Sequence, residues 1–329
     1  MNLPALKRGF HYDPVTRSLA VFVDGQRVHD FGNEQGRTYY VNNITGSSTN
    51  DGRSWGSALD QIDAALLASE TFRVTHDTGN MAIRNRIVIQ GTETAYEKID
   101  QDANCIDVYG IGHRAHLGGA AGDVMVSGAA AADGMAMSDL VTGWDTTVDH
   151  GGGMGVNVRN VHFEASGNYY AVDLETWLLS SFEDCYFMCS GSNSYGGLNC
   201  SLHFAGSLVR NCHAGGDAGL PAYGFSFTGG VFNQNLIERN WMQARTYGFY
   251  TTDYLQGGTV VRENSIYGGT YGIYDNSAET TVLGRALYTA NCVSSSGTAI
   301  QITNVGTYIC VGNWISSAGT GGTYVDSTG

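Results

Sequence analysis

The chain has 329 residues and a formal net charge of −14, with 42% hydrophobic but only 15% charged residues. That balance excludes a disordered polymer, and the negative charge argues against nucleic acid or an anionic membrane as the main partner. Forty-six glycines against three prolines fit a fold with many tight turns and few broken strand ladders.

Residues 1–36 stand apart. Apolar and polar residues alternate on both sides of Asp24-Gly25 across 18–31, which predicts a β-hairpin too small to fold alone and suited to attachment. The N-terminal stretch MNLPALKRGFHYDP lacks an apolar signal core, and no segment approaches a membrane span. Residues 37–82 read as a strand at 39–41, a polar loop through Asn50-Asp51-Gly52, and a helix from about Ser57. Ala58, Leu59, Ile62, Ala65 and Leu66 would form its buried face. Such a helix would cover the open end of the body that follows, at 83–329. Segments 83–91 and 105–112 are strand-like, whereas 113–155, rich in Gly and Ala, gives no clear pattern.

From residue 156 one phrase recurs seven times: an apolar strand ending in Asn or Asp, a second strand, a loop, and a third apolar strand. The punctuating residues are Asn160, Asp184, Asn211, Asn240, Asn264, Asn291 and Asn313. The third strands begin their apolar pattern at Val172, Leu198, Phe225, Phe249, Ile273, Ile300 and Val325. Both columns advance by 153 residues over six steps, so each unit is expected to stack on the last and bury its apolar face against its neighbours. Asn at the turn is expected to accept a left-handed backbone and to form a stacked amide ladder. The residues after it (Val161, Cys185, Cys212, Trp241, Ser265, Cys292 and Trp314) are expected to line the core. Those before it (Arg159, Glu183, Arg210, Arg239, Glu263) are expected to pair in stacked charges outside. The seven cysteines show no pairing pattern and read as reduced thiols made in a cytosol-like compartment.

This repeat resembles the parallel β-helix, a right-handed solenoid, of the pectate-lyase-like superfamily. The segment YYVNNITGSSTNDGRSWGSALDQIDAALL resembles the start of bacteriophage tailspikes and related virion β-helix proteins. The resemblance implies an all-β single solenoid with an N-terminal hairpin and a capping helix. It also implies a virion appendage in tail or capsid, a homotrimer, contact with other virion proteins through 1–36, and a host-surface glycan as ligand. The fold hosts lyases, hydrolases and inert adhesins alike, so three functions stay open: a glycan-binding spike, a polysaccharide depolymerase (hydrolase or lyase), and a structural decoration. The last coil, ending in TYVDSTG, is expected to be shielded by neighbouring chains or a further segment.

Strand parity places the candidate site. One residue beyond each apolar marker, Asp173, Asn199, Ser226, Tyr250, Tyr274, Gln301 and Asp326 are expected to face outward. Two further on come Glu175, Ser201, Thr228, Thr252, Asn276, Thr303 and Thr328. Tyr223, Tyr247 and Tyr271 add a second tyrosine column at the loop edge, and tyrosine rings amid hydroxyls and amides suit sugar rings. Asp173 and Glu175 are the best acid pair for glycoside hydrolysis; Trp177, with the same parity, is expected beside them. Asp217 and Asp253 could reach across a groove. The longer loops at 164–170, 190–197 and 214–223 would wall this region. No metal or cofactor is expected: Asp100, Asp102 and Asn104 lack the rest of a calcium loop, and His113 and His116 read as an ordinary turn.

Overall fold

The computed structural model describes residues 36–76, 83–92, 94–112, 125–128, 135–137, 152–165, 168–189, 195–216, 219–252, 258–276, 285–303, 307–317 and 324–326, with strands at Arg8–Asp13, Ser18–Val23 and Gln26–Asp30. These three N-terminal strands form an antiparallel sheet in which Val23 pairs with Gln26 across the expected two-residue turn. Asp24 and Gly25 themselves lie outside the described residues, as do His113 and His116. Strand Arg8–Asp13 was not evident in the sequence.

The body is a parallel β-solenoid. Its second strands form an eight-stranded parallel sheet from Met125–Gly128 to Trp314–Ser317, and the sheet order follows the chain order. Each coil therefore lies on its predecessor. Third-strand partners are Val172, Leu198, Phe225, Phe249, Ile273 and Ile300, in unbroken succession. All six are fully buried, each contributing about 1.5–3 kcal/mol of apolar burial. The last coil corrects the expected register: Ile300 pairs with Tyr324, and Gln301 pairs with Val325. Between the outward tyrosine and the apolar marker of each middle coil stands a glycine, because the corner leaves no room: a Cβ on Gly248 would lie 2.4 Å from Ile266 Cγ2.

The helix, α1, spans Ile62–His76 and begins later than the sequence indicated. Ala58 and Leu59 are buried as expected but extended. The Leu59 N–H donates to Tyr40 O and Leu59 O accepts from Asn42 N–H, so this stretch joins strand Thr38–Val41. Ile62 and Leu66 of α1 close the solenoid end against Ile89, Val108, Val158 and Phe163. Glu70 and Arg73 are buried there as an ion pair, and Asn104 donates to the same carboxylate.

The asparagine column divides into two roles. Register aligns His213 with Trp241, so Cys212 stacks on Asn240 and Asn211 on Arg239. The left-handed turn position holds Asn160, Asp184, Asn211, Arg239, Glu263, Ala290 and Gly312, all with φ between 54° and 66°. The next position holds Val161, Cys185, Cys212 and then the amide ladder. Cys212 N–H donates to Asn240 Oδ1, and Asn240, Asn264 and Asn291 donate to the next asparagine at 2.8–3.0 Å. The thiols of Cys185 and Cys212 donate to carbonyls of the preceding coil, as the asparagine amides do.

The same offset corrects two further expectations. Trp241, Ser265, Cys292 and Trp314 point outward, with Trp314 74% exposed. The stacked charges are Arg159, Glu183, Arg210, Glu238 and Arg262, alternating in sign coil by coil. Glu183 bridges Arg159 and Arg210, and Glu238 bridges Arg210, Arg239 and Arg262. Burial alone would raise the Glu238 carboxyl, but Arg262 and Arg239 outweigh it and hold the group below its ordinary value.

Candidate functional site

The third strands present their outward residues as continuous columns. Tyr170, Gly196, Tyr223, Tyr247, Tyr271 and Thr298 form one; Asp173, Asn199, Ser226, Tyr250, Tyr274 and Gln301 form the next. The expected register thus holds from the coil of Asp173 to that of Gln301, and fails in the last, where Val325 takes the outward column and Asp326 pairs with buried Ile302. On the strand Tyr170–Leu178, Asp173 and Glu175 are both half-buried.

Five tyrosines interleave into a wall. Tyr223, Tyr247 and Tyr271 stack nearly parallel, with centroids 5.4 Å apart. Tyr250 and Tyr274 stack at 5.7 Å and 7°. Between the columns, Tyr247 and Tyr250 lie 4.8 Å apart and tilted, as do Tyr271 and Tyr274. All five remain half-exposed, so each offers ring surface to solvent. Burial, followed by neighbouring tyrosines, raises the Tyr247 and Tyr250 hydroxyls, which keeps them protonated donors at neutral pH.

The wall gives way to a polar cluster in the coils above it. Asp173 accepts from Asn199 Nδ2 at 2.7 Å. Asn199 is 6% exposed and its Oδ1 has no hydrogen-bond partner among the described residues. Ser226 is buried next in the column and hydrogen-bonds the Tyr170 hydroxyl, which also senses the charge of Asp173. Tyr170 can lean this way because its neighbour is Gly196: a Cβ there would lie 2.8 Å from the Tyr170 ring. Desolvation raises the Asp173 carboxyl above its ordinary value, although Asn199 and the Leu174 N–H pull it down. Asp173 and Glu175 thus lie two residues apart on one strand, both half-buried, with the Asp173 carboxyl raised by desolvation.

Trp177 is not part of this surface. It is fully buried and stacks on Phe182 at 4.6 Å. The ladder between Tyr170–Leu178 and Gly196–Ala205 shifts register between Leu174 and Thr176, and this bulge turns Trp177 inward. Asp217 and Asp253 lie outside the described residues, as do parts of the three longer loops.

The second strands carry an outward aromatic column, of which only Trp241 was expected in the core. His162, Tyr186, His213 and Trp241 follow one another at 5.8, 5.4 and 3.9 Å. Correct register of the motifs HF, YF, HA and WM would have exposed it. A separate groove of about 560 Å³ runs beside α1, lined by Leu67, Phe72 and Arg37; it belongs to the cap and lies on other elements than the acid pair. Among the described residues no cluster of three or more His, Cys, Asp or Glu could hold a metal ion, and no helix is long and apolar enough to cross a membrane.

No protein-family model matches the chain, and no curated protein matches it. Among solved structures the chain is similar to the GH136 lacto-N-biosidase from Eubacterium ramulus, at 12% identity and a TM-score of 0.27. That match covers 84% of this chain and 67% of the other.

Proposed function

We propose that this solenoid is a virion appendage of the tailspike type that binds a host-surface polysaccharide through the outer face of its third strands. The carrying observation is the wall of five half-exposed tyrosines stacked on successive coils, with hydroxyl and amide side chains around it. A rigid, repeating aromatic platform suits a repeating polymer with apolar ring faces and hydroxyl rims. In this reading 1–36 attaches the protein to other virion components and three copies associate about the solenoid axis. Affinity electrophoresis against purified host capsule and lipopolysaccharide tests binding. Tyr247→Ala, which removes the central ring of the wall, should weaken it about tenfold, roughly the effect of a central aromatic anchor. Unchanged retention in a folded Tyr247→Ala protein would remove the wall as the binding element.

A second reading is favoured by the raised Asp173 carboxyl beside Glu175. Here the same surface depolymerises the glycan: protonated Asp173 donates to the glycosidic oxygen, and Glu175 activates water or attacks the anomeric carbon. New reducing ends that vanish in Asp173→Asn, with binding preserved, would establish it. Retention without cleavage leaves the adhesin.

A further inference from the structure

The helix α1 carries a second apolar face. Its core face holds Ile62, Ala65, Leu66 and Ser69. The same spacing recurs two residues on, about 200° further round the helix, at Ala64, Leu67, Ala68 and Phe72. These four line the groove of about 560 Å³, and the loop at 48–51 forms its other wall. Leu67 is 56% exposed there. A helix with apolar residues on two faces is suited to lie between two layers. The solenoid is one layer, and the groove has room to seat another.

The N-terminal sheet is a layer of that kind. Its register sets Phe10 opposite Val21 and Tyr12 opposite Leu19, so apolar positions of two strands fall on one side of it. A sheet this small gains stability by packing such a side against a helix. Its tether is short. From Asp30, which ends the sheet, to Arg37 at the groove the chain spans at most about 25 Å. Such a link holds the sheet beside the groove at an effective concentration of roughly millimolar order. A separate protein in dilute solution cannot match that.

We infer that the groove beside α1 is the seat of the chain's own N-terminal sheet, which docks its apolar side on Leu67 and Phe72. The helix then fixes the orientation of the N-terminal segment relative to the solenoid. The inference is separate from glycan binding: it concerns how this segment is held, whatever the third strands bind.

The test uses the full chain. A photoreactive p-benzoylphenylalanine replaces Leu67, and isotope-labelled and unlabelled copies are mixed before illumination. Mass spectrometry of the joined peptides should show position 67 linked to residues 8–30 of the same chain. Links to another copy, or to the solenoid body alone, would overturn the inference. Backbone hydrogen exchange gives an independent reading. Leu67→Asp puts a charge on the groove floor, and Thr71→Arg fills the groove from an exposed helix position. Each should speed exchange in the strands at 18–23 and 26–30 by about tenfold or more, while Ala65 and Leu66 keep their protection. Ile44→Asp, similarly exposed but outside the groove, is the control and should change neither. Unchanged strand exchange in a folded Leu67→Asp or Thr71→Arg protein would overturn the docking and leave the glycan-binding reading untouched.

Discussion

Replacing Asn264 by alanine tests the ladder that holds the solenoid together. Asn264 Oδ1 accepts from Asn240 N–H at 2.9 Å and from Asn240 Nδ2 at 3.0 Å, while its Nδ2 donates to Ile237 O at 3.0 Å. Alanine leaves the Asn240 N–H without its acceptor in a buried place, a cost of about 1–3 kcal/mol. The Ile237 carbonyl loses a donor, worth about 1 kcal/mol. Asn240 Nδ2 still has Val209 O and Asn291 Oδ1 still has the Asn264 N–H, so the damage stops there. The expected loss is about 2–4 kcal/mol, which corresponds to roughly 30-fold to 700-fold in an opening equilibrium. Because a solenoid's stability is summed coil by coil, hydrogen exchange at the Asn240 amide reads the local loss more directly than a global midpoint. Asn264→Cys should fall between Asn and Ala, since Cys212, two rungs earlier, fills its place with a thiol donating to Phe182 O. Less than a threefold change in Asn240 exchange for Asn264→Ala would refute the ladder as a source of stability.

Three other outcomes are expected. Ala290 sits at φ 54°, where a non-glycine residue costs about 1–2 kcal/mol, so Ala290→Gly should raise the unfolding midpoint despite glycine's larger unfolded-state entropy; a lower midpoint contradicts this. Burial, then a hydrogen bond shared with Asp100, pushes the Asp63 carboxyl from 3.8 up to about 7. An acid raised by folding holds its proton more tightly in the native state, so its contribution to stability is lost as pH rises from about 4 to 7. Asp63→Asn should reduce that fall between about pH 4 and 7 in urea titrations, and an unaltered slope would disprove the shared proton. Gly196→Ala should push the Tyr170 ring off the cluster and return Asp173 toward ordinary carboxylate titration, as read by carboxyl carbon shifts in NMR. An unmoved Asp173 would mean that Tyr170 does not desolvate it.

What could be read from the chain follows from which physical signal each position carries. The third-strand register was legible from Val172 to Ile300 because apolar alternation there has one cause, burial. The asparagine column was read one residue out of place because asparagine serves two purposes. At Asn160 and Asn211 it takes the left-handed turn; from Asn240 on it forms the buried ladder, and Arg239, Glu263, Ala290 and Gly312 take the turn. That slip moved Trp241 and Trp314 into a core they do not occupy and paired Arg210 with Arg239 in place of Glu238. The bulge that buries Trp177 leaves no mark in composition, and the start of α1 is set by Leu59 bonding to a strand some twenty residues earlier. Asp173 and Glu175 were visible as two carboxylates two residues apart, and both are half-buried on their strand. The raised Asp173 carboxyl was not, because it depends on desolvation by the folded coils around it.

A solenoid repeats its chemistry vertically, so a site with an end arises only where the repetition fails. Positions that are tyrosine on three successive coils, at 223, 247 and 271, become Gly196 and then Tyr170 in the coils above. In the neighbouring column, Tyr250 and Tyr274 give way to Ser226, Asn199 and Asp173. The repeated part supplies a platform that looks much the same to each unit of a polymer. The interrupted part sets buried Asn199 against the desolvated carboxyl of Asp173. In the proposed glycan-binding reading, affinity would therefore grow with ligand length along the tyrosines and stop growing at the coil of Gly196, where the ring column is interrupted.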